Sequence, residues 1–262
     1  MTRREQRDAF LCYFGEVRGP EKTLCPSPSS RDSGGAKIAT AILEISKNGA
    51  APKPELFMNI APYQYFLCVV CEAKFLAPKN WLSREDEHQH YLTHENDADD
   101  PNYQKFVSKL MEALLPELRP NSVGLDYGCG PSSALAKLLI QKNFQIKLYD
   151  PFFEIIEHNL TLKYDFITCS ETVEHFHHPS KEFSKLDALL KPGGWLGIMT
   201  QFQTDNNRFK NWNYRRDPTH VVFYRERTFD IIAKQRGWTC QIPSKDIVLM
   251  QKTSKSIGNQ VT

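Results

Sequence analysis

The run Val123-Gly124-Leu125-Asp126-Tyr127-Gly128-Cys129-Gly130-Pro131-Ser132 decides how the rest of this chain is read. An apolar, β-prone stretch breaks into a Gly-x-Gly turn, and helix formers follow from Ser133 to Lys142. Strand, glycine turn and helix in that order make the first crossover of an open α/β sheet, which binds its ligand beyond the strand's C-terminal end. Asp126 narrows the ligand class. A pyrophosphate seated on the helix N-terminus would be repelled by a carboxylate two residues before Gly128, whereas a ligand with a cationic group would be attracted.

Outward from this run the alternation is regular. Strands are expected over 123–127, 146–149, 166–170 and 195–200, with helices over 133–142, 180–190 and 228–236 between and after them. Two closing strands, 239–242 and 247–251, are joined by a few residues around Pro243-Ser244. That link is too short for a parallel crossover, so they are expected to be antiparallel. The result is a mostly parallel sheet flanked by helices. Asp150 ends the second strand 22 residues after Gly128, where such a sheet places an acidic group on the two hydroxyls of a ribose. Only about 15 residues separate Asp150 from Asp165, which leaves no room for a full helix and third strand.

Three blocks in order carry a family resemblance: the opening run; Tyr164-Asp165-Phe166-Ile167-Thr168-Cys169-Ser170-Glu171 with Thr172-Val173-Glu174-His175; and Leu189-Leu190-Lys191-Pro192-Gly193-Gly194-Trp195-Leu196. Together they resemble the signatures of class I S-adenosylmethionine-dependent methyltransferases. The stretch from Cys68 to Asp217-Pro218-Thr219-His220 is similar to an uncharacterised bacterial-type group of them with a cysteine-bearing N-terminal segment. The resemblance implies a Rossmann-like methyltransferase sheet with a C-terminal antiparallel hairpin and an abbreviated third-strand region. It implies S-adenosylmethionine as cofactor, bound by Asp126, Tyr127, Gly128, Cys129, Gly130, Asp150, Pro151, Phe152, Ser170 and Glu171. It also implies that Lys191-Pro192-Gly193-Gly194 turns sharply from a helix into a strand. Ser132 departs from the family, standing where many relatives have a third glycine. No acidic adenine contact is evident either, and Pro151-Phe152-Phe153 offers apolar or stacking contact in its place, unless the phenylalanines are core. Tyr103 and Phe106, before the first strand, are either cover for the cofactor or ordinary packing. An oxidoreductase using a nicotinamide cofactor is the rival class, but it expects a third glycine and no Asp126.

Methyl transfer from a sulfonium is an in-line displacement, so the residues past the strand 166–170 must position a nucleophile and, where needed, remove its proton. Glu171, Glu174 and His175 form a Glu-x-x-Glu-His cluster there, and His220 follows later. In one reading His175 is the general base for an oxygen or nitrogen of a small molecule, and Glu174-His175 to Pro179 resembles small-molecule and quinone-ring O-methyltransferases. In a second, Glu171, Glu174, His175 and His220 hold a divalent cation that activates a hydroxyl. That set is similar to metal-dependent enzymes that methylate the terminal 2'-hydroxyl of small RNAs. For RNA, Lys210, Arg215, Arg216, Arg225 and Arg227 interleave with Trp212, Tyr214, Phe223 and Tyr224, although 212–216 reads equally as a lid over the cofactor edge. A third reading keeps the cofactor without catalysis, as a binding module.

The remainder is less regular. Residues 1–55 are proline- and serine-rich and are expected to be a weakly ordered extension with one short helix, Ile38 to Ile45. Residues 56–100 form a small Cys/His-containing segment, with a strand from Tyr63 to Val70 and a helix after the capping box Ser83-Arg84-Glu85-Asp86. Residues 101–262 are the catalytic domain. Cys68-x-x-Cys71 is half of a zinc site, with His90 and His94 or Cys25 as candidates to complete it, or else a pair of reduced structural thiols. Seven cysteines, an odd number without a disulfide-type spacing, fit a reducing compartment. Arg3, Arg4 and Arg7 precede an apolar patch, Ala9 to Phe14, that is shorter than a secretory core, and no run is long enough to span a membrane. A soluble cytoplasmic protein is expected. A net charge of +2 excludes a partner chosen by bulk charge alone.

Overall fold

A computed structural model describes residues 54–94 and 97–254. The 1–53 stretch, with the Ile38 to Ile45 helix and Cys25, lies outside the described residues, as do Glu95 and Asn96. The N-terminal segment begins with a hairpin, β1 (Glu55–Ile60) and β2 (Tyr63–Leu67), followed by β3 (Lys74–Leu76). Helix α1 (Arg84–Tyr91) starts at Ser83, whose Oγ accepts from Asp86 N. Helix α2 (Pro101–Leu114) starts at Asp100, whose carboxylate accepts from Asn102 N and Tyr103 N. Both starts follow the sequence rule that a short polar acceptor satisfies the free N–H groups of a first turn.

The α/β part continues with β4 (Val123–Tyr127), α3 (Ala134–Gln141), β5 (Gln145–Tyr149), β6 (Tyr164–Ser170), α4 (Pro179–Leu189) and β7 (Leu190–Met199). After a short helix α5 (Asn206–Phe209) come β8 (Val222–Phe223), α6 (Glu226–Arg236), β9 (Trp238–Ser244) and β10 (Ile247–Lys252). The six-stranded sheet has the order β5-β4-β6-β7-β10-β9. Its first three pairings are parallel, and β10 runs antiparallel to both β7 and β9. This is the Rossmann-like methyltransferase sheet with its closing hairpin.

Side chains alternate across that sheet with a period of two, as strands covered on both faces require. Phe166, Trp195, Met199, Ile247 and Leu249 pack with Leu110, Leu114, Leu135 and Leu139 of α2 and α3. Ile167, Cys169, Leu196, Ile198, Val248 and Met250 face Phe183, Leu186, Phe229 and Ile232 of α4 and α6. The β5–β6 link holds only a 3-10 turn, Glu157–Thr161, so β5 is an edge. Asn159 closes part of that edge by donating from Nδ2 to Leu148 O at 2.8 Å. No helix among the described residues is long and apolar enough to cross a membrane.

Two local expectations need correction, and one strand pairing has no counterpart in the sequence reading. Lys191-Pro192-Gly193-Gly194 lies within β7 rather than before it. Pairing jumps from Tyr164↔Leu190 to Phe166↔Trp195, so these four residues bulge opposite Asp165. The bulge is held by Lys191 Nζ donating to Asp165 Oδ1 at 2.8 Å, and Gly194 is required because a Cβ there would meet Asp165 O at 3.0 Å. The strand expected over 63–70 stops at Leu67. Cys68 to Cys71 is a turn, closed by Glu72 N donating to Cys68 O and Cys68 N donating to Ala73 O. Finally, β8 belongs to a second sheet, β1-β2-β3-β8, in which Lys74 pairs with Phe223 and Phe75 with Val222. The N-terminal segment is therefore stitched to a loop from the far end of the chain.

Gly124 marks the tightest packing in β4, because a Cβ there would overlap the Phe166 ring at 2.3 Å. Gly124→Ala is expected to cost about 1–3 kcal/mol of stability in urea unfolding. Adding Phe166→Leu should recover part of that loss, and strictly additive losses would contradict this packing.

Candidate functional site

At the C-terminal edge of β4 the two turn glycines adopt left-handed conformations, φ +76° at Gly128 and +65° at Gly130. A side chain at Gly128 would also strike Thr172, with Cγ2 2.1 Å from its Cβ. The carboxylate of Asp126 is almost fully buried and accepts from Thr168 Oγ1 and Ser133 Oγ, each at 2.6 Å. Burial raises its pKa, and the two hydroxyls pull it back down. A small pocket opens here, lined by Tyr103, Asp126, Gly128, Cys129, Ser133 and Ser170 among others. Tyr103 therefore stands over the cavity from α2. Burial together with Asp126 and Glu171 pushes its phenol up to about 12. Phe106 packs with the α2–α3 core instead. The side chain of Tyr127 points to Glu182 and Lys185 of α4, leaving its backbone toward the turn.

Asp150 ties this turn to the next one. Its Oδ2 accepts from Gly130 N at 2.9 Å, while Oδ1 accepts from Phe152 N and Phe153 N at 2.8 and 3.1 Å. Helix α1 covers the loop that follows. Arg84 donates to Pro151 O at 2.6 Å and sits 4.5 Å from the Phe152 ring centroid, against which His88 also stacks. Neighbours from the N-terminal segment thus already engage the Phe152 ring.

Beyond β6, Ser170 lines the cavity and Glu171 follows it with φ +48°. A 3-10 turn, Val173–His175, then brings Glu174 and His175 together with His220, one ligand-type atom of each lying within 4.8 Å of the other two. Each imidazole is oriented by the backbone: His175 Nδ1 is 3.1 Å from Thr219 O, and His220 Nδ1 is 2.7 Å from Tyr214 O. A ring nitrogen facing a carbonyl carries the proton, which leaves both Nε2 atoms with a lone pair. Burial and the adjacent His220 push His175 down to about 3, so it stands neutral. Glu174 is fully buried. Its Oε1 accepts from Tyr214 Oη, and its Oε2 has no hydrogen-bond partner. Glu171 is partly exposed and lies beside Glu174, whose charge, after burial, raises the Glu171 pKa well above the usual range. It is not one of the three that converge.

The other sequence candidates lie elsewhere. Cys68 and Cys71 are buried between β2 and β3, with Cys71 O accepting from Thr228 Oγ1 at 2.8 Å. Their mutual contact lowers the Cys68 pKa to about 6 and raises that of Cys71. Among the described residues no third metal-type ligand joins them, and His90 and His94 face Asp217 instead. Of the groups considered for RNA, Tyr214, Arg215, Phe223 and Tyr224 are core. Arg215 is spent on Tyr65 Oη, Phe209 O and Lys210 O, and Arg225 on Glu72 and Asn206. Sequence reasoning missed Thr168, the role of Tyr214 as the partner of Glu174, and Asp217. None carries a local signal, because each meets its partner across the fold rather than along the chain.

Residues 100–241 match a family model described as a methyltransferase domain. No curated protein matches the chain. Among solved structures it is similar to 1,6-didemethyltoxoflavin-N1-methyltransferase from Burkholderia thailandensis, solved with 1,6-didemethyltoxoflavin and S-adenosylhomocysteine bound. Identity is 15% over 76% of this chain and 99% of that one, with a TM-score of 0.43. It is also similar to a SAM-dependent methyltransferase from Archaeoglobus fulgidus, at 17% identity over 57% of this chain and 94% of that one, TM-score 0.45.

Asp126→Asn keeps the shape of the buried carboxyl and removes its charge. Calorimetry should show S-adenosylmethionine affinity falling ~10- to 100-fold, the worth of a charge-assisted hydrogen bond, with little change in melting temperature. Unchanged affinity would remove Asp126 from the binding site.

Proposed function

The chain belongs to the methyltransferase-domain family and is an S-adenosylmethionine-dependent methyltransferase, and from that premise we propose that its acceptor is a hydroxyl of a small molecule. Glu174, His175 and His220, with Glu171 beside them, would hold a divalent cation next to the methyl donor. One observation carries this reading: two imidazoles, each oriented by a backbone carbonyl at Nδ1, converge with a fully buried carboxylate whose Oε2 has no partner. Nitrogen and oxygen donors so arranged suit a divalent metal ion, and the carbonyls supply the outer contacts that orient metal-binding histidines. A cation held there would lower the pKa of an acceptor hydroxyl.

The chain's own residues do the rest. Asp126 favours the cationic end of the donor, and Gly128 and Gly130 let it approach the backbone. Tyr103 closes over it from α2. Tyr214 fixes the Glu174 carboxylate, while Thr219 O and Tyr214 O set the two imidazole orientations. Glu171 follows Ser170 at the cavity wall and offers a carboxylate to receive the proton that the acceptor loses. An imidazole whose pKa lies near 3 holds a proton weakly, which disfavours His175 as an isolated general base. The placement of Tyr214, Phe223 and Tyr224 in the core favours a small acceptor over RNA.

Transfer of labelled methyl groups to a panel of catechols, vicinal diols and alcohols tests the reading. Activity should fall about 100-fold or more with chelator, return with Mg²⁺, Mn²⁺ or Co²⁺, and fall comparably in Glu174→Gln. Turnover indifferent to both chelator and Glu174→Gln would overturn the cation. Methylation of a 3'-terminal ribose oligonucleotide in preference to the panel would overturn the small acceptor.

A further inference from the structure

The four histidines around the site fall into two groups, His175 with His220 and His90 with His94. We propose that His90, His94 and Asp217 form a separate metal site, suited to a nitrogen-preferring divalent ion of the zinc type, that clamps α1 onto the loop carrying His220. It shares no residue with Glu174, His175 and His220, so it stands whether or not those three bind a cation.

The geometry is that of a preformed site. His90 lies on α1, and His94 follows one turn later, where Leu92 N donates to His88 O and His94 N to Tyr91 O, carrying the helical path past Tyr91. Four-residue spacing puts both rings on one side, with centroids 5.0 Å apart. Asp217 comes from the opposite end of the chain and is held rigidly, its Oδ1 accepting from Thr219 N at 2.9 Å and Thr219 Oγ1 at 2.5 Å. His90 Nε2 stands 3.3 Å from Asp217 Oδ1, and His94 Nε2 4.0 Å from Oδ2. All three ligand atoms lie within 4.8 Å of one another. Atoms bound at ~2.1 Å around one tetrahedral ion are ~3.4 Å apart, so small movements suffice.

The Asp217 side chain is only 4% exposed, and His90 Nε2 is buried without a hydrogen-bond partner despite facing it. The next group in line is His220, its Nε2 3.9 Å from Asp217 Oδ2, and it is already oriented by Tyr214 O. Two imidazoles and one carboxylate are a donor set for zinc or a similar first-row ion rather than for magnesium.

The consequence is mechanical. Helix α1 also carries Arg84 and His88 onto Phe152, and Tyr91 onto His175 with ring centroids 5.4 Å apart. An ion at His90, His94 and Asp217 would lock that helix over both the Asp150 loop and the Glu174 turn.

Zinc stoichiometry and affinity of the full chain, measured by elemental analysis and competition with a chromophoric chelator, test the proposal. His90→Gln and, separately, His94→Gln should each weaken zinc binding about 100-fold or more, while Glu174→Gln leaves that equivalent in place. Hydrogen exchange on the unmutated protein gives a second readout, in which zinc should slow exchange across 84–94. Wild-type zinc binding in both histidine variants, loss of the sole equivalent in Glu174→Gln, or no zinc-induced protection of 84–94 would overturn it.

Discussion

A carboxylate buried to full exclusion of water, Glu174, sets the terms for everything around it. An ionised carboxyl in such a place costs several kcal/mol unless charge or hydrogen bonds compensate it. Here the compensation comes from far along the chain. Tyr214 donates to Oε1, and the backbone of the same turn is held separately, Val221 N donating to the Glu174 carbonyl at 2.9 Å and Tyr224 Oη to Val173 O at 2.8 Å. The turn after β6 is thereby bonded to the 214–224 segment at several points. That segment in turn pairs through β8 with β3. One buried turn is the joint at which the parallel sheet, the small sheet and the histidine-bearing loop meet.

The two ends of the cleft then differ in chemistry. At the β4 end, Asp126 and Asp150 are satisfied by hydroxyls and backbone N–H groups, an acidic but settled environment that fits a cationic donor. At the β6 end, two imidazoles meet a buried carboxylate with one unpartnered oxygen. Ser170 and Glu171 link them in sequence, and Tyr103 reaches over from α2. The segment before α2 is more than an appendage, since Arg84, His88 and Tyr91 press on both ends at once.

Much of this was legible in the sequence wherever periodicity or a short motif did the specifying. The parallel sheet, its antiparallel closing pair, the missing third strand and the Ser83 cap follow from alternation, link length and capping chemistry. Glu174, His175 and His220 were singled out from residue type and their position beyond β6. The two-residue strand β8 escaped because nothing in Val222–Phe223 distinguishes an edge pairing from a core loop. The Lys191–Gly194 stretch was misread as a helix-to-strand turn because a bulge is defined by its partner, Asp165, and not by its own residues. His90 and His94 were offered to Cys68 and Cys71 on spacing, but folding delivers them to Asp217, a partner more than a hundred residues away whose role has no local signature.

The central claim is that Glu174, His175 and His220 hold a cation next to the methyl donor. Anomalous diffraction from crystals grown with S-adenosylhomocysteine and Mn²⁺ addresses it directly. The account predicts a peak ~2.0–2.3 Å from Glu174 Oε2, His175 Nε2 and His220 Nε2. A cofactor-loaded crystal with no anomalous peak there, and Glu174 Oε2 taken up by a protein hydrogen bond, would contradict it.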